Sequence, residues 1–170
     1  MRRLTIAGSR ALTLLAVAAA TSVAFSATLA HSSTAATTVT LKVAYNKKLR
    51  LPIVVDGRGR TVYVYAGDKG WESTCVDDAT YHCIRIWPAV RVAGPVRVGP
   101  RLKKSLVSTV ERGDGGARQV RYAHHPLYYD AGSVGFGIIP DRKPGDINGQ
   151  TFGDLWYVLS PSGKVIKKYA

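Results

Sequence analysis

Acidic residues are scarce in this chain of 170 residues: 11 Asp and Glu stand against 24 Lys and Arg, for a net charge of +13. Acid–base catalysis needs two carboxylates in contrasting environments, and most candidates here are explained by turns. Only two glutamates occur, and four aspartates lie within two residues of a glycine, where turns account for them: Asp56, Asp68, Asp114 and Asp130. The positive excess favours anionic partners, such as a cell-wall polymer, a glycosaminoglycan-like polymer or nucleic acid.

Signatures of catalytic and metal sites are also missing from the sequence. No His-Glu-x-x-His zinc motif occurs, and the nucleophile elbow Gly-x-Ser-x-Gly fails because Ala131 stands where its first glycine must be. Residues 146–150 resemble a calcium loop only faintly, since the glycine at the sixth position and the glutamate at the twelfth are lacking. The sequence therefore predicts no catalytic, cofactor-binding or metal-ligating residue.

A long uncharged run occurs only at the N-terminus. Arg2, Arg3 and Arg10 precede or flank the small apolar segment 11–30, which ends in the small-x-small sequence of residues 28–30. These features predict a signal peptide over residues 1–30. A transmembrane helix is the alternative, because 20 uncharged residues can just span a bilayer, but the Ala, Thr and Ser content weakens insertion.

The remainder is predicted to be a flexible leader over residues 31–38 and a single β-rich domain over residues 39–170. Three of the basic residues and none of the acids lie in the first 30, so residues 31–170 carry a net charge of +10. No cysteine precedes Cys75, so a lipid-anchor cysteine is not available. We expect a secreted, soluble and monomeric protein without a stable membrane span.

The two cysteines, Cys75 and Cys83, are an even count in an oxidising compartment. The seven residues between them can form a loop that brings the sulfurs together, and its closure would contribute about 2.5 kcal/mol. A metal site of Cys75, His82 and Cys83 is the alternative, although adjacent residues on a strand point in opposite directions. A disulfide is the favoured prediction.

Alternation of apolar and polar residues dominates the rest of the chain. Val39, Leu41, Val43 and Tyr45 would share one face of a strand. Three hairpins are predicted from pairs of β-rich runs around glycine-containing turns: 53–55 with 61–65, 106–112 with 117–123, and 155–159 with 165–168. No sustained helical period occurs, and residues 100–107 offer at most one short turn. The predicted fold class is all-β, with at most one short helix.

The chain also repeats itself loosely. In each half a glycine-rich hairpin leads into a tyrosine-rich strand, at residues 62–65 and 127–129, and a tryptophan follows, at Trp87 and Trp156. Each half is too small to bury a core alone. We therefore expect two related antiparallel β units packed into one small domain.

These repeated segments resemble a bacterial secreted-repeat family of predicted lipoproteins that is defined by a Tyr-x-(Phe/Trp/Tyr)-x-x-Asp motif and has no known function. The resemblance covers roughly residues 41–165. Further segments that match it are 143–150 (KPGDINGQ) and 156–164 (WYVLSPSGK). The residues that carry the family motif are Tyr63, Tyr65, Asp68, Trp87, Pro88, His125, Pro126, Tyr128 and Trp156.

The second copy of the motif departs from the pattern. After Tyr128, Asp130 stands where the aromatic residue belongs and Ser133 where the aspartate belongs, and the usual Asn-Gly turn before His-Pro is replaced by Ala123-His124. Tyr63 and Tyr65 share a strand face, which would be a stacking platform if open and core if closed.

The sequence thus favours a binding or structural module outside the cell that contacts polyanionic material. The alternative is a metal-binding protein or enzyme whose site is built from His124, His125 and the strand Tyr63 to Asp68. No acid lies between Arg85 and Lys104, so this basic stretch cannot be neutralised by local pairing. The polyanion contacts predicted from it are Arg97, Arg101, Lys103 and Lys104.

Overall fold

The computed structural model describes residues 40–78 and 81–169. The predicted signal peptide and leader lie outside the described residues. Within these residues the strands are short and the single α-helix has four residues, which confirms a β-rich fold with one short helix. In chain order the elements are β1 (Thr40–Asn46), β2 (Leu51–Asp56), β3 (Tyr63–Tyr65), α1 (Cys83–Ile86), β4 (Arg91–Val92), β5 (Arg97–Val98), β6 (Val107–Val110), β7 (Arg118–Tyr122), β8 (His125–Pro126), β9 (Trp156–Leu159) and β10 (Val165–Ile166).

In the described part of the chain the strands form three small sheets. The first has the order β2-β1-β5, the second β10-β9-β3, and the third joins β4, β7 and β6, with β8 paired to β7. All pairs are antiparallel except β1 with β5, where Thr40 pairs with Arg97 and Leu41 with Val98. The basic segment after β4 therefore runs along the free edge of β1.

Two of the three predicted hairpins are confirmed. β6 pairs with β7 from Val107–Tyr122 to Val110–Gln119, and β9 pairs with β10 through Leu159 and Val165. A short 3-10 turn at Lys104–Leu106 falls within the segment where a single turn was expected. The glycine-containing connections thus close these hairpins as the sequence indicated.

The turn of the first predicted hairpin is present, but the predicted pairing of its two strands is wrong. The amide of Asp56 donates to the carbonyl of Arg60 at 2.9 Å, and Val55 pairs with Thr61 as an isolated bridge. β3 then leaves β2 and pairs with β9 instead. This exchange buries Tyr63 completely, so aromatic burial outweighs the local hairpin signal.

The predicted apolar face of β1 is also partly wrong. Leu41 is buried, but the side chain of Tyr45 is 64 % exposed, and Ala44 from the opposite face packs against the core. The strand remains paired with β2 at this end, through Tyr45 with Pro52 and Asn46 with Leu51. Its alternation could not show which face the neighbouring loops would cover.

Two hydrophobic clusters lie on opposite sides of β3. Tyr63 belongs to one cluster together with both core tryptophans, whereas Val62 and Val64 belong to the other. Both faces of the motif strand are therefore covered. Tyr63 is core rather than a stacking platform, and Tyr65 is only partly buried.

Cys75 and Cys83 form a disulfide, with a Cα–Cα distance of 5.3 Å. Both cysteines are buried, and Cys83 begins the short helix α1. The predicted bridge is therefore present and fixes the entry into the segment that carries Trp87.

Candidate functional site

The two motif tyrosines lie side by side at the centre of the molecule. The amide of Tyr63 donates to the carbonyl of Tyr128 at 2.8 Å, and the amide of Tyr128 returns a bond to Tyr63 at 2.9 Å. This reciprocal pair is the point where the two halves of the chain meet. It joins the two tyrosine segments in antiparallel orientation.

Each tyrosine strand pairs with the tryptophan strand of the other half. Tyr63 faces Val158, two residues after Trp156, and Tyr128 faces Ala89, two residues after Trp87. The two indole rings stack on each other with centroids 3.9 Å apart and planes inclined by 10°. The two halves are thus interlocked through a shared aromatic core.

Each tyrosine hydroxyl also contacts the other half of the chain. Tyr128 donates to Asp68 of the first half at 3.0 Å, and Tyr63 donates to Asp141 of the second half at 2.6 Å. Asp68 also accepts a bond from the amide of Thr74, which is the local turn contact expected from the sequence. The contact with Tyr128 was missed, because nothing in the sequence links positions sixty residues apart. Asp141 supplies the carboxylate that Ser133 does not.

The altered position of the second motif copy has a visible consequence. Tyr65 faces Trp156 across the sheet and stacks on it at 4.7 Å. At the equivalent place Asp130 lies opposite Trp87. The pair is flanked by two backbone hydrogen bonds, from the amide of Ala131 to the carbonyl of Ile86 at 2.9 Å and from the amide of Tyr129 to the carbonyl of Pro88 at 2.8 Å. Trp87 Nε1 and Asp130 Oδ2 are both buried without a hydrogen-bond partner among the described residues.

Burial makes several of these acids unusually weak. It raises the pKa of Asp130 to about 7, with a further contribution from the neighbouring Asp141 carboxylate. Burial likewise raises the pKa of Asp68 to about 6, although bonds from Thr74 and Tyr128 oppose it. The pKa of Tyr63 is also raised, first by burial and then by Asp141.

A buried guanidinium closes the network beside Tyr128. Arg112 donates to Gln119 Oε1 and to the carbonyl of Cys75, both at 2.8 Å, and to Ser73 Oγ. Ser73 Oγ lies 2.6 Å from the hydroxyl of Tyr128. Because Arg112 makes four hydrogen bonds within the protein, this network positions the disulfide segment against the core.

The Asn-Gly pair of the 143–150 segment has a packing role. A Cβ on Gly149 would lie 2.7 Å from the ring of Trp87 and 3.1 Å from that of Tyr63. Any larger residue would push these rings apart. Gly149 therefore allows Trp87 and Tyr63 to pack together in a single aromatic core.

The histidine pair is divided by the fold. His124 is exposed in a turn with φ 70°, whereas His125 lies in β8 and is partly buried. His125 shares a cavity of 220 Å³ with Tyr65 and Asp68, and burial lowers its pKa. Of the two histidines in the alternative metal or enzyme site, only His125 therefore lies beside Tyr65 and Asp68. Within residues 40–78 and 81–169, no three His, Cys, Asp or Glu side chains come together as metal ligands.

The predicted polyanion residues form one exposed stretch, which we call the edge segment: Arg97, Arg101, Lys103 and Lys104. All four side chains are exposed. Arg97 pairs in register with Thr40, two residues before Lys42, so the alternation of a strand places Arg97 and Lys42 on the same face. The backbone of Gly99 also donates to Leu41 at 2.7 Å.

A second basic surface, not predicted from the sequence, adjoins the edge segment at Lys42. It is a cavity of 870 Å³ between β1, β2 and the turn at residues 143–146, which we call the basic groove. Its lining contains five cations and a single carboxylate, that of Asp146. The cations are Lys42, Lys47, Lys48, Arg58 and Lys143.

Comparison with known proteins agrees with the family resemblance. A family model described as a secreted repeat of unknown function matches residues 52–91, which include the first motif copy, the disulfide and Trp87. The resemblance inferred from the motif is confirmed over this segment. Neither curated proteins nor solved structures give a significant match. In the part of the chain that the structure describes, no helix has the length and apolar character needed to cross a bilayer.

Proposed function

We propose that this protein is a secreted module that binds polyanionic material outside the cell, using the edge segment and the adjoining basic groove. The observation that carries the proposal is a group of neighbouring cations that form no ion pair with an acid of the described residues. Ion pairs among the described residues engage only four arginines: Arg60, Arg85, Arg91 and Arg112.

Several acids have partners away from these cations. Asp56 and Asp114 hold arginines, and Asp68 and Asp141 hold the core tyrosines. Asp146 lies in the groove, where it accepts the amides of residues 142 and 143 at 3.0 Å and interacts with Lys143 and Lys48. The cations of the edge segment form no ion pair among the described residues. A polymer of phosphates or uronates would bind there by releasing its counterions.

Such binding has a distinct salt dependence. We expect the protein to be retained on heparin or on an immobilised phosphate polymer at low salt, and to elute well below about 1 M salt. Replacing Arg101, Lys103 and Lys104 with alanine should lower the salt concentration at which the protein elutes. It should also make the affinity for the polymer depend less steeply on salt. The fold should be unaffected, since exposed charges contribute little to stability.

The control variant carries the same loss of three charges outside both surfaces, at Lys69, Arg85 and Lys167. It should elute closer to the unmodified protein than the edge variant does. Retention that is insensitive to salt, or equal losses in both variants, would mean that the positive charge serves solubility alone.

A further inference from the structure

An uncharged loop lies at the surface of the second half of the chain. Residues 131–140, which we call the apolar loop, contain no charged side chain. Ser133 and Ile138 exchange two backbone hydrogen bonds of 2.9 Å, and the tip between them is a 3-10 turn, Val134–Phe136, that ends at Gly137 with φ 67°. Because these bonds fix the backbone, the surface that the loop presents is preformed.

The apolar side chains at this tip face water. Val134 is 101 % exposed, Phe136 54 % and Ile139 67 %, whereas Ile138 is buried in the core. The ring of Phe136 meets that of Tyr81 edge-on at 5.5 Å. Single exposed apolar residues are ordinary, but three within six positions form a patch. A partner that removes this patch from water would gain free energy from the hydrophobic effect.

Exposed cations follow the loop directly. Arg142 and Lys143 come three and four residues after Ile139, so their Cα atoms lie within about 14 Å of it. Lys143 also lines the basic groove together with Lys48. The apolar loop therefore adjoins a region of positive charge.

The acids near the loop do not cancel this charge. Asp130 is buried, and Asp141 accepts hydrogen bonds from the Tyr63 hydroxyl at 2.6 Å and from the amide of Asn148 at 2.8 Å. The five cations of the basic groove and Arg142 thus outnumber Asp141 and Asp146, the two acids beside them. An anionic surface complements this region.

A lipid bilayer fits the combination better than a protein partner does. A stable protein interface buries about 800 Å² on each side, which three side chains on one turn do not supply. A bilayer needs no complementary shape: apolar side chains enter the boundary between headgroups and acyl chains, and cations meet the anionic headgroups. The backbone of the turn would remain among hydrated headgroups, because the hydrocarbon core offers no hydrogen-bond partners.

We infer that the apolar loop is a peripheral binding site for an anionic bilayer. Val134, Phe136 and Ile139 enter the interface, and Arg142 and Lys143 bind the lipid headgroups. Neither contribution is strong alone, and stable attachment to a membrane takes two such signals together. The inference goes beyond the proposed function, because the three apolar side chains belong neither to the edge segment nor to the basic groove.

Co-sedimentation of the purified protein with vesicles tests this site. Vesicles of equal parts phosphatidylglycerol and phosphatidylcholine should bind it about tenfold or more tightly than vesicles of phosphatidylcholine alone. The loop variant, with Val134, Phe136 and Ile139 replaced by serine, should bind the anionic vesicles about tenfold or more weakly, because apolar burial is lost. Its elution from heparin should be unchanged.

The control for the loop variant removes three comparably exposed aromatic side chains elsewhere. Replacing Tyr45, Trp71 and Tyr169 with serine should leave vesicle binding within about twofold of the unmodified protein. Equal losses in the two variants would show that exposed apolar residues contribute wherever they lie, and would overturn the site.

The electrostatic part has its own pair of variants. Replacing Arg142 and Lys143 with alanine should weaken binding to the anionic vesicles about tenfold. The same loss of charge at Lys69 and Lys167 should weaken it less than about threefold, since those residues are not held at the membrane surface. Equal losses would assign the binding to net charge alone.

A fluorescent label measures insertion independently of affinity. Val134→Cys, labelled with a polarity-sensitive fluorophore, should emit at shorter wavelength when anionic vesicles are added. The same label on Ser162→Cys, in the exposed turn between β9 and β10, should not shift. The native cysteines are bonded to each other and do not react. A label at residue 134 that stays in water while the protein is bound would overturn the insertion.

The remaining outcomes separate the inference from the proposed function. If no vesicles bind while heparin still retains the protein, the membrane site fails and the proposed function stands. If vesicles bind through the loop but heparin does not retain the protein, the proposed function fails alone. A dimer seen by sedimentation velocity, and abolished in the loop variant, would overturn the membrane site and assign the loop to a contact between two copies.

Discussion

Replacing Trp156 with alanine is expected to lower the free energy of unfolding by about 3–5 kcal/mol. The side chain is 1 % exposed, stacks on Trp87 at 3.9 Å and meets Tyr128 edge-on at 5.2 Å. Its loss removes one of the contacts between the two halves as well as a large buried area. Urea denaturation monitored by circular dichroism measures the effect.

Trp71 provides the matched control. It is the same residue type with its side chain 69 % exposed, so Trp71→Ala should change the free energy of unfolding by less than about 0.5 kcal/mol. Similar losses in the two variants would show that the interlocked aromatic core does not hold the fold together.

The second large effect is a loss of stability as the pH rises. Asp130 has a pKa of about 7 in the folded protein against a usual value of 3.8. A carboxyl with a raised pKa stabilises the fold while it is protonated, and this contribution is lost as the pH rises through the folded value. Asp130 alone should lower the free energy of unfolding by about 2–3 kcal/mol between pH 5 and pH 8.

The variant Asp130→Asn isolates this effect. Its amide keeps the acceptor for Gly132, 2.8 Å away in the unmodified protein, and carries no charge. Its stability should therefore fall less than that of the unmodified protein between the two pH values. Asp68 and Asp141 add a residual loss of the same sign, and His125 opposes it because its pKa is lowered. Parallel pH profiles of the two proteins would refute the role of Asp130.

Local signals predicted local structure well. The disulfide and the two later hairpins follow from cysteine spacing and glycine-containing turns, which act over a few residues. The first hairpin was wrong because β3 finds a better partner in β9, about ninety residues away. Turn chemistry carries no information about such a competitor.

The candidate sites show the same division. The exposed edge segment could be predicted from a stretch of basic residues with no acid among them. The basic groove could not, because Lys143 joins Lys42 and Arg58 only through the fold. The family motif could be recognised from its residue types. The hydrogen bonds by which the tyrosine of each half contacts an aspartate of the other half could not be predicted from sequence spacing.

The central claim is that one basic surface beside β1 receives a polyanion. Mapping the amide chemical shifts of ¹⁵N-labelled protein during a titration with a short heparin fragment tests it most directly. The largest changes should fall on residues 42–48, 53–61 and 143–146, with smaller changes along 97–104. Changes scattered over all cationic regions, or centred on the cavity beside His125, would contradict the claim.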